Sequence, residues 1–410
     1  MVETKTKKTF TLYFAFVVIS VLLFNMSGRG SAVMYAGYFA SIMFLFFSFL
    51  PMMKHIDLST LAFGSILSFF GFLSFVTHNE HAFDSVRSAA LNINILIPFL
   101  YFSVIGVLKT HKTSIGTIED VLQIYVYITL IVGTLTLIFN VNSLGQIFAL
   151  SSNAYNVALK GFFPNKNMFG NFVAIGAVIS IYLFSSNRKR VNLLAMIVLV
   201  FLTIISFCRA ALLFLFAFSL FYFLSASFIP SVNEKKKIRR IRAIVIIAIV
   251  SFVILWICVP AINTFVLNKV IRSDVSDAGR TGIHNKAQLL MKNGGLVENL
   301  IGYGPSELEY SLSMDVHSTY YNLLLTGGIV KMVLFSYGLI ISMLHIRRIK
   351  KNLISSFCLS CLFSYVVFSM FETVVYFELG FLSFEILFLI IIIPLSIDAD
   401  SVVEKSTITN

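Results

Sequence analysis

Residues 191–228 read VNLLAMIVLVFLTIISFCRAALLFLFAFSLFYFLSASF, an apolar run with one charged residue, Arg209. About 20 apolar residues carry a helix across the hydrocarbon of a bilayer. The run is too long for one crossing, so it reads as two that turn around Ser206-Phe207-Cys208-Arg209. Composition extends that reading to the whole chain. Of 410 residues 58% are hydrophobic, 43 are Phe, only 12% are charged, and mean hydropathy is +0.90. Soluble domains carry about 25% charged residues, so this is the composition of a polytopic membrane protein. Alternating segments of about ten residues, the mark of a membrane β-barrel, do not occur. The expected fold is therefore all-α.

Apolar length and the charged or Pro/Gly breaks between runs predict about twelve transmembrane helices, near 9–26, 31–53, 58–77, 88–108, 119–139, 167–186, 191–206, 209–228, 242–260, 318–346, 353–372 and 376–397. With the N-terminus in the cytoplasm, 20 of the 31 Lys and Arg fall on the inner side, six of them between Lys235 and Arg242. Ten fall outside and Lys331 lies within a span. The positive-inside rule thus sets both termini in the cytoplasm. The net charge of +12 is mostly this topology signal, and its partner is the anionic lipid surface rather than nucleic acid. No small-residue cleavage site follows Phe10–Met26, so that segment reads as a retained span and not a signal peptide.

This topology places residues 261–317 in one large extracytoplasmic loop between helices nine and ten, the expected catalytic loop of a single membrane domain. The loop gathers charge, Gly and His that are scarce elsewhere: Arg272, Asp274, Asp277, Gly279-Arg280-Thr281-Gly282, Gly302-Tyr303-Gly304, Asp315 and His317. Gly302-Tyr303-Gly304-Pro305 permits a tight turn, but Glu307 stands where a nucleotide-binding fingerprint needs a third Gly, and no βαβ pattern surrounds it. Cys358-Leu-Ser-Cys361 lies in a predicted span without a second ligand pair, and no outer carboxylates and His stand at ligand spacing. No metal and no cofactor are expected. Asn92, Asn94 and His55 read as satisfied polar groups or surface residues rather than ligands.

Three features face the same side as the loop. Pro164-Asn165-Lys166-Asn167 opens the sixth span with side chains that cap a helix, and a helix N-terminus beside a Lys suits phosphate as well as ordinary capping. Arg209 is costly in so apolar a run; its planar fork suits bidentate phosphate binding, although a snorkelling interface anchor is the competing reading. His317 stands just before the tenth span, in Asp315-Val316-His317-Ser318-Thr319-Tyr320-Tyr321-Asn322. A helix N-terminus near cations favours the neutral imidazole, which is competent as a base.

Taken together, Arg209-x3-Leu213, His317-x10-Gly328, Pro164-Asn165-x-Asn167 and Gly279-Arg280-Thr281 resemble the O-antigen polymerase and ligase superfamily, the Wzy-type enzymes of surface-polysaccharide assembly. The resemblance covers roughly Asn165 to Tyr337 and the twelve-span plan. It implies a GT-C-like bundle acting as a metal-independent inverting glycosyltransferase at the outer face of the inner (cytoplasmic) membrane. The donor would be a glycan on undecaprenyl pyrophosphate. Arg209, Arg280 and Lys166 would hold the pyrophosphate, and His317 would deprotonate or position the acceptor hydroxyl. Asn165, Asn167, Arg272, Tyr320 and Tyr321 are candidate substrate contacts. Chain-length regulator and flippase proteins of the same pathway would be its partners.

Within the superfamily two residue patterns favour polymerisation. Lys331 stands where ligases tend to have a small residue or Tyr. The loop's Lys269, Arg272, Arg280, Lys286 and Lys292 are offset by Asp274, Asp277, Glu298, Glu307, Glu309 and Asp315, which suits a glycan acceptor better than the phosphorylated lipid A core a ligase receives. The alternative from another class is a flippase or transporter for the same lipid-linked oligosaccharide.

Overall fold

A computed structural model describes residues 2–27, 30–80, 86–141, 159–187, 189–226, 278–306, 316–349 and 352–397, with isolated positions between them. In chain order the helices are α1 (Val2–Ser27), α2 (Gly30–Phe49), α3 (Leu58–Thr77), α4 (Val86–Asn92), α5 (Ile97–Thr110), α6 (Ile115–Phe139), α7 (Lys166–Asn187), α8 (Arg190–Ile205), α9 (Arg209–Ala226), α10 (Ala278–Asn293), α11 (Leu296–Ile301), α12 (Thr319–Arg348), α13 (Leu353–Phe368), α14 (Phe381–Leu387) and α15 (Ile393–Ser396). A single π turn, Phe388–Ile392, joins the last two. Among the described residues there is no strand, only one bridge between Thr113 and Ile397.

The chain is an all-α membrane protein. Seven of the described helices are long and apolar enough to cross a bilayer, and an eighth crossing results if α4, its 3-10 continuation and α5, bent by 41°, count as one. Arg190–Ile205, Leu353–Phe368 and Leu382–Ser396 are shorter apolar helices. At 1.5 Å per residue a helix of about 16 residues reaches roughly 24 Å, below the 30 Å hydrocarbon thickness. The expected span 242–260 lies largely outside the described residues.

Two compact units form. The first comprises Met1–Val121, Ala278–Lys350 and Tyr365–Asn410, and the second Leu122–Asp277 with Lys351–Ser364. In the first unit an aromatic core joins α1 to the chain's last helices: Tyr13 and Phe384 have ring centroids 4.0 Å apart, and Phe10, Phe14 and Phe388 pack around them. One end of this unit is basic. There Lys7 pairs with Asp120 and Lys109 with Asp57, each at 2.7 Å, and Lys112 donates to the Leu395 carbonyl. The last turn of α12 carries His345, Arg347 and Arg348. Asp57 caps α3, whose 20 residues span about 30 Å. Its far end, at Ser74 and His78, meets Thr326 and Glu298. The loop helices and the start of α12 therefore occupy the end opposite the basic one.

In the second unit α7 is almost wholly buried. Asn192 of α8 and Gln123 of α6 exchange two amide hydrogen bonds of 2.7 and 3.0 Å, a pairing that keeps both polar groups satisfied in an apolar interior. Tyr182 stacks on Phe357 at 4.5 Å. The turn expected at Ser206–Arg209 is present: α8 stops at Ile205, Phe207 takes φ 50, and α9 starts at Arg209.

Besides the expected span 88–108, which is bent between α4 and α5, two others differ from their predicted form. Residues 376–397 do not make one straight helix, because helix resumes only at Phe381. The stretch before it is held in irregular form by hydrogen bonds to residues far away in sequence: Thr319 Oγ1 donates to the Glu372 carbonyl and accepts from Val374 N–H, and Asn94 Oδ1 accepts from Leu379 N–H. Within α12 the helix is broken at Gly328, where φ is 64 and ψ −165.

Candidate functional site

The candidate residues are divided between the two units. His317, Tyr320, Tyr321 and the backbone of Arg280 belong to the first; Asn165, Lys166, Asn167 and Arg209 belong to the second. Arg272, Asp274, Asp277 and Asp315 lie outside the described residues, as does the side chain of Arg280.

In the second unit the order of side chains follows from two helix starts. Asn165 Oδ1 accepts from Met168 N–H at 2.8 Å, the N-cap expected from its residue type. Lys166 and Asn167 then fall in the first turn of α7. Cys208 Sγ lies 3.5 Å from Asn171 Oδ1, so the turn that presents Arg209 packs against the second turn of α7. Arg209 itself is exposed. The turn that bears Arg209 and the first turns of α7 are thereby neighbours, and a cation and a helix start each attract an anion.

In the first unit the backbone around His317 is fixed from both sides. His317 has φ 53, in the left-handed region that non-Gly residues rarely occupy. Its predecessor Val316 is buried with Ile283, Ala287 and Leu325, and the Val316 carbonyl lies 3.0 Å from His284 Nε2. Its successors are held by the irregular stretch before α14: Ser318 N–H donates to Thr373 Oγ1, and Thr319 N–H donates to the Ser369 carbonyl at 2.8 Å. The unusual φ is thus imposed by the contacts on either side. The imidazole is half-buried, and its Nδ1 is a buried atom.

Gly328, eleven residues beyond His317 in the motif, has a geometric cause. The chain at Leu300–Gly302 crosses α12 so closely that a Cβ on Gly328 would sit 2.3 Å from the Leu300 carbonyl, and one on Gly302 would sit 2.3 Å from Gly327 N. Tyr303 N–H donates to the Leu325 carbonyl at this crossing. The two glycines let α11 lie against the kink in α12. Glu298 of α11 reaches His78, with Oε1 and Nε2 3.5 Å apart. Backbone hydrogen bonds within its own turn and the His78 contact hold the Glu298 carboxyl below its ordinary value, against a smaller opposing effect of burial.

Tyr320 and Tyr321 have different surroundings. The Tyr320 hydroxyl donates to the Val366 carbonyl and accepts from Ser369 Oγ, which fastens α12 to α13. The Tyr321 hydroxyl accepts from Gln288 Nε2 at 2.8 Å, and its ring lies 5.0 Å from that of His284.

His284 and Gln288 were not among the residues expected from sequence. Their signal is spacing: positions 280, 284 and 288 recur every four residues on α10, a polar stripe that runs beside the buried Ile283 and Ala287. A further polar group lies beyond the kink. Lys331 Nζ contacts Glu378 Oε1 at 2.7 Å and Thr326 Oγ1 at 3.0 Å, and with Asn94, Pro305 and Phe377 these residues line a small cavity.

Among the described residues no group of three or more His, Cys, Asp or Glu is placed to hold a metal ion, and Cys358 and Cys361 are buried free thiols. Asn92 accepts from Ser306, Asn94 from Leu379, and His55 lies edge-on to His111. Compared with family models and with curated proteins, the chain matches none.

Proposed function

We propose that the chain is a metal-independent inverting glycosyltransferase that polymerises undecaprenyl-pyrophosphate-linked repeat units at the outer face of the cytoplasmic membrane, with twelve spans and both termini inside. The observation that carries this reading is the built environment of His317. A half-buried imidazole is held in a costly backbone conformation, and the glycine eleven residues later in the same motif is demanded by the crossing of the loop that covers it. Strain of this kind is kept where a side chain must be presented in one geometry.

In the reaction the hydroxyl at the non-reducing end of an incoming repeat attacks the anomeric carbon of the lipid-linked chain. A C–O bond forms there with inversion as the bond to pyrophosphate oxygen breaks. His317 takes the hydroxyl proton, and the electron pair leaves on undecaprenyl pyrophosphate. Arg209, Arg280 and Lys166 stabilise that leaving group, because charge accumulates on it in the transition state. The basic end of the first unit faces the cytoplasm, and the end with His317 faces out.

The deciding experiment supplies the purified protein, in a bilayer, with only undecaprenyl-pyrophosphate-linked repeat units. A ladder of longer products is expected. Products that form only when lipid A core is added would make the chain a ligase, and movement of the lipid without glycosidic bond formation would make it a transporter.

A further inference from the structure

Among the described residues the imidazole of His284 meets the Val316 carbonyl through Nε2 and lies beside the Tyr321 ring. A carbonyl oxygen can only accept, so the 3.0 Å contact with Val316 O means that His284 Nε2 carries the proton and donates. This fixes the tautomer of the neutral ring, with Nδ1 as its acceptor. The carbonyl it holds belongs to the peptide unit that leads directly into His317. On the other side of His317 the corresponding links come from Thr373 and Ser369. His284 thus supplies the link to His317 from the loop helix α10, the helix that also carries Arg280 one turn earlier.

We infer that His284 is a positioning residue: through the Val316 carbonyl it holds the left-handed backbone of His317 and ties that imidazole to the helix bearing Arg280. Gln288, the next residue of the same stripe, fixes the Tyr321 hydroxyl in the same way, so α10 docks on the start of α12 through two polar contacts above the apolar contacts of Ile283 and Ala287. The donor that matters at position 284 is a single N–H at the reach of Nε2. Gln carries such a donor at nearly the same distance from the backbone, whereas Phe keeps the ring and loses it.

This assignment rests on His317 acting in transfer, so it is tested in two ways. In the polymerisation assay His284→Phe is expected to lower kcat by roughly 10- to 100-fold with KM changed less than about 2-fold, as a small displacement of a reacting group does. His284→Gln should recover at least about a third of the wild-type kcat. Independently of any activity, the rate at which diethyl pyrocarbonate modifies His317, followed by mass spectrometry, should rise about 3-fold or more in His284→Phe and stay near wild type in His284→Gln. A Gln variant as impaired as Phe in both measurements overturns the role, as does a Phe variant indistinguishable from wild type. If the wild-type chain transfers no sugar but the modification rates still separate Phe from Gln, the positioning contact stands and the glycosyltransferase reading falls.

Discussion

Gly328→Ala isolates the crossing on which the loop rests. Gly328 has φ 64 and ψ −165, a region essentially reserved for glycine, and a β-carbon there costs about 1–3 kcal/mol. The same carbon would lie 2.3 Å from the carbonyl carbon and oxygen of Leu300 and 2.6 Å from Ile301 N. These are backbone atoms of α11 and its end, so no rotamer change relieves the overlap, and forced overpacking adds about 1–3 kcal/mol. The sum, about 2–6 kcal/mol, lowers the docking equilibrium constant of α11 about 30-fold or more. The assay is hydrogen exchange in nanodiscs at the Tyr303 amide, which donates to Leu325 O at 2.6 Å across this junction. Its protection should fall by that factor in Gly328→Ala. Gly282→Ala is the control, since a Cβ there meets nothing within 4 Å and helix propensity favours Ala. Unchanged protection at Tyr303 in Gly328→Ala would refute the reasoning.

The remaining predictions concern single side chains. His317→Asn keeps a residue that tolerates the left-handed region but removes the base, so transfer should fall about 10²–10⁴-fold with normal membrane insertion; activity within a few-fold of wild type would remove His317 from the mechanism. Arg209→Lys and Arg280→Lys should both transfer poorly, because an ammonium cannot reproduce the planar fork; a fully active Arg209→Lys would make Arg209 an interface anchor. Partial burial pushes the Asp57 carboxyl up, but hydrogen bonds from Lys109, Ser59 and Thr60 outweigh it and hold it well below the usual carboxylate range. A folded-state value below the unfolded one, about 4, means that this stabilisation is present above that pH and is lost as pH falls below it. The melting temperature of the wild type should therefore drop more steeply on acidification than that of Asp57→Asn, and parallel curves would show that the Asp57 interactions contribute nothing.

Much of the helix layout was legible because apolar length and charge are local properties. The third predicted span, 58–77, coincides with α3, and the turn at Ser206–Arg209 was marked by the one charge in its run. What was not legible comes from contacts distant in sequence. The break before Phe381 depends on Thr319 and Asn94 capturing backbone groups of residues 372–379, partners that stand far from them in sequence. Gly327-Gly328 in sequence does not announce that Leu300–Gly302 passes against it. For the candidate site, the motif residues were found by type and order, and Asn165 caps α7 as its chemistry requires. Tyr320 and Tyr321 could not be told apart from sequence, since only the partners of their hydroxyls distinguish a fastening from a presented side chain. His284 escaped notice because its significance lies in which carbonyl it reaches.

The division of the chain also constrains how the protein is made. The first unit is assembled from Met1–Val121, Ala278–Lys350 and Tyr365–Asn410, with the whole second unit and its return segment translated in between. At about 5–20 residues per second, α1 to α5 wait roughly 10–50 s for the helices that complete their core. During that time Phe10, Tyr13 and Phe14, which end up against Phe384 and Phe388, face lipid or one another. Apolar side chains bear that delay without cost, but the Asn94 carbonyl, whose partner Leu379 comes nearly 300 residues later, must meanwhile be satisfied by water or by an insertion factor. The late arrival of residues 365–397 makes the final apolar segment the step that closes the unit, and the stage of synthesis at which a truncated chain remains most exposed to membrane proteases.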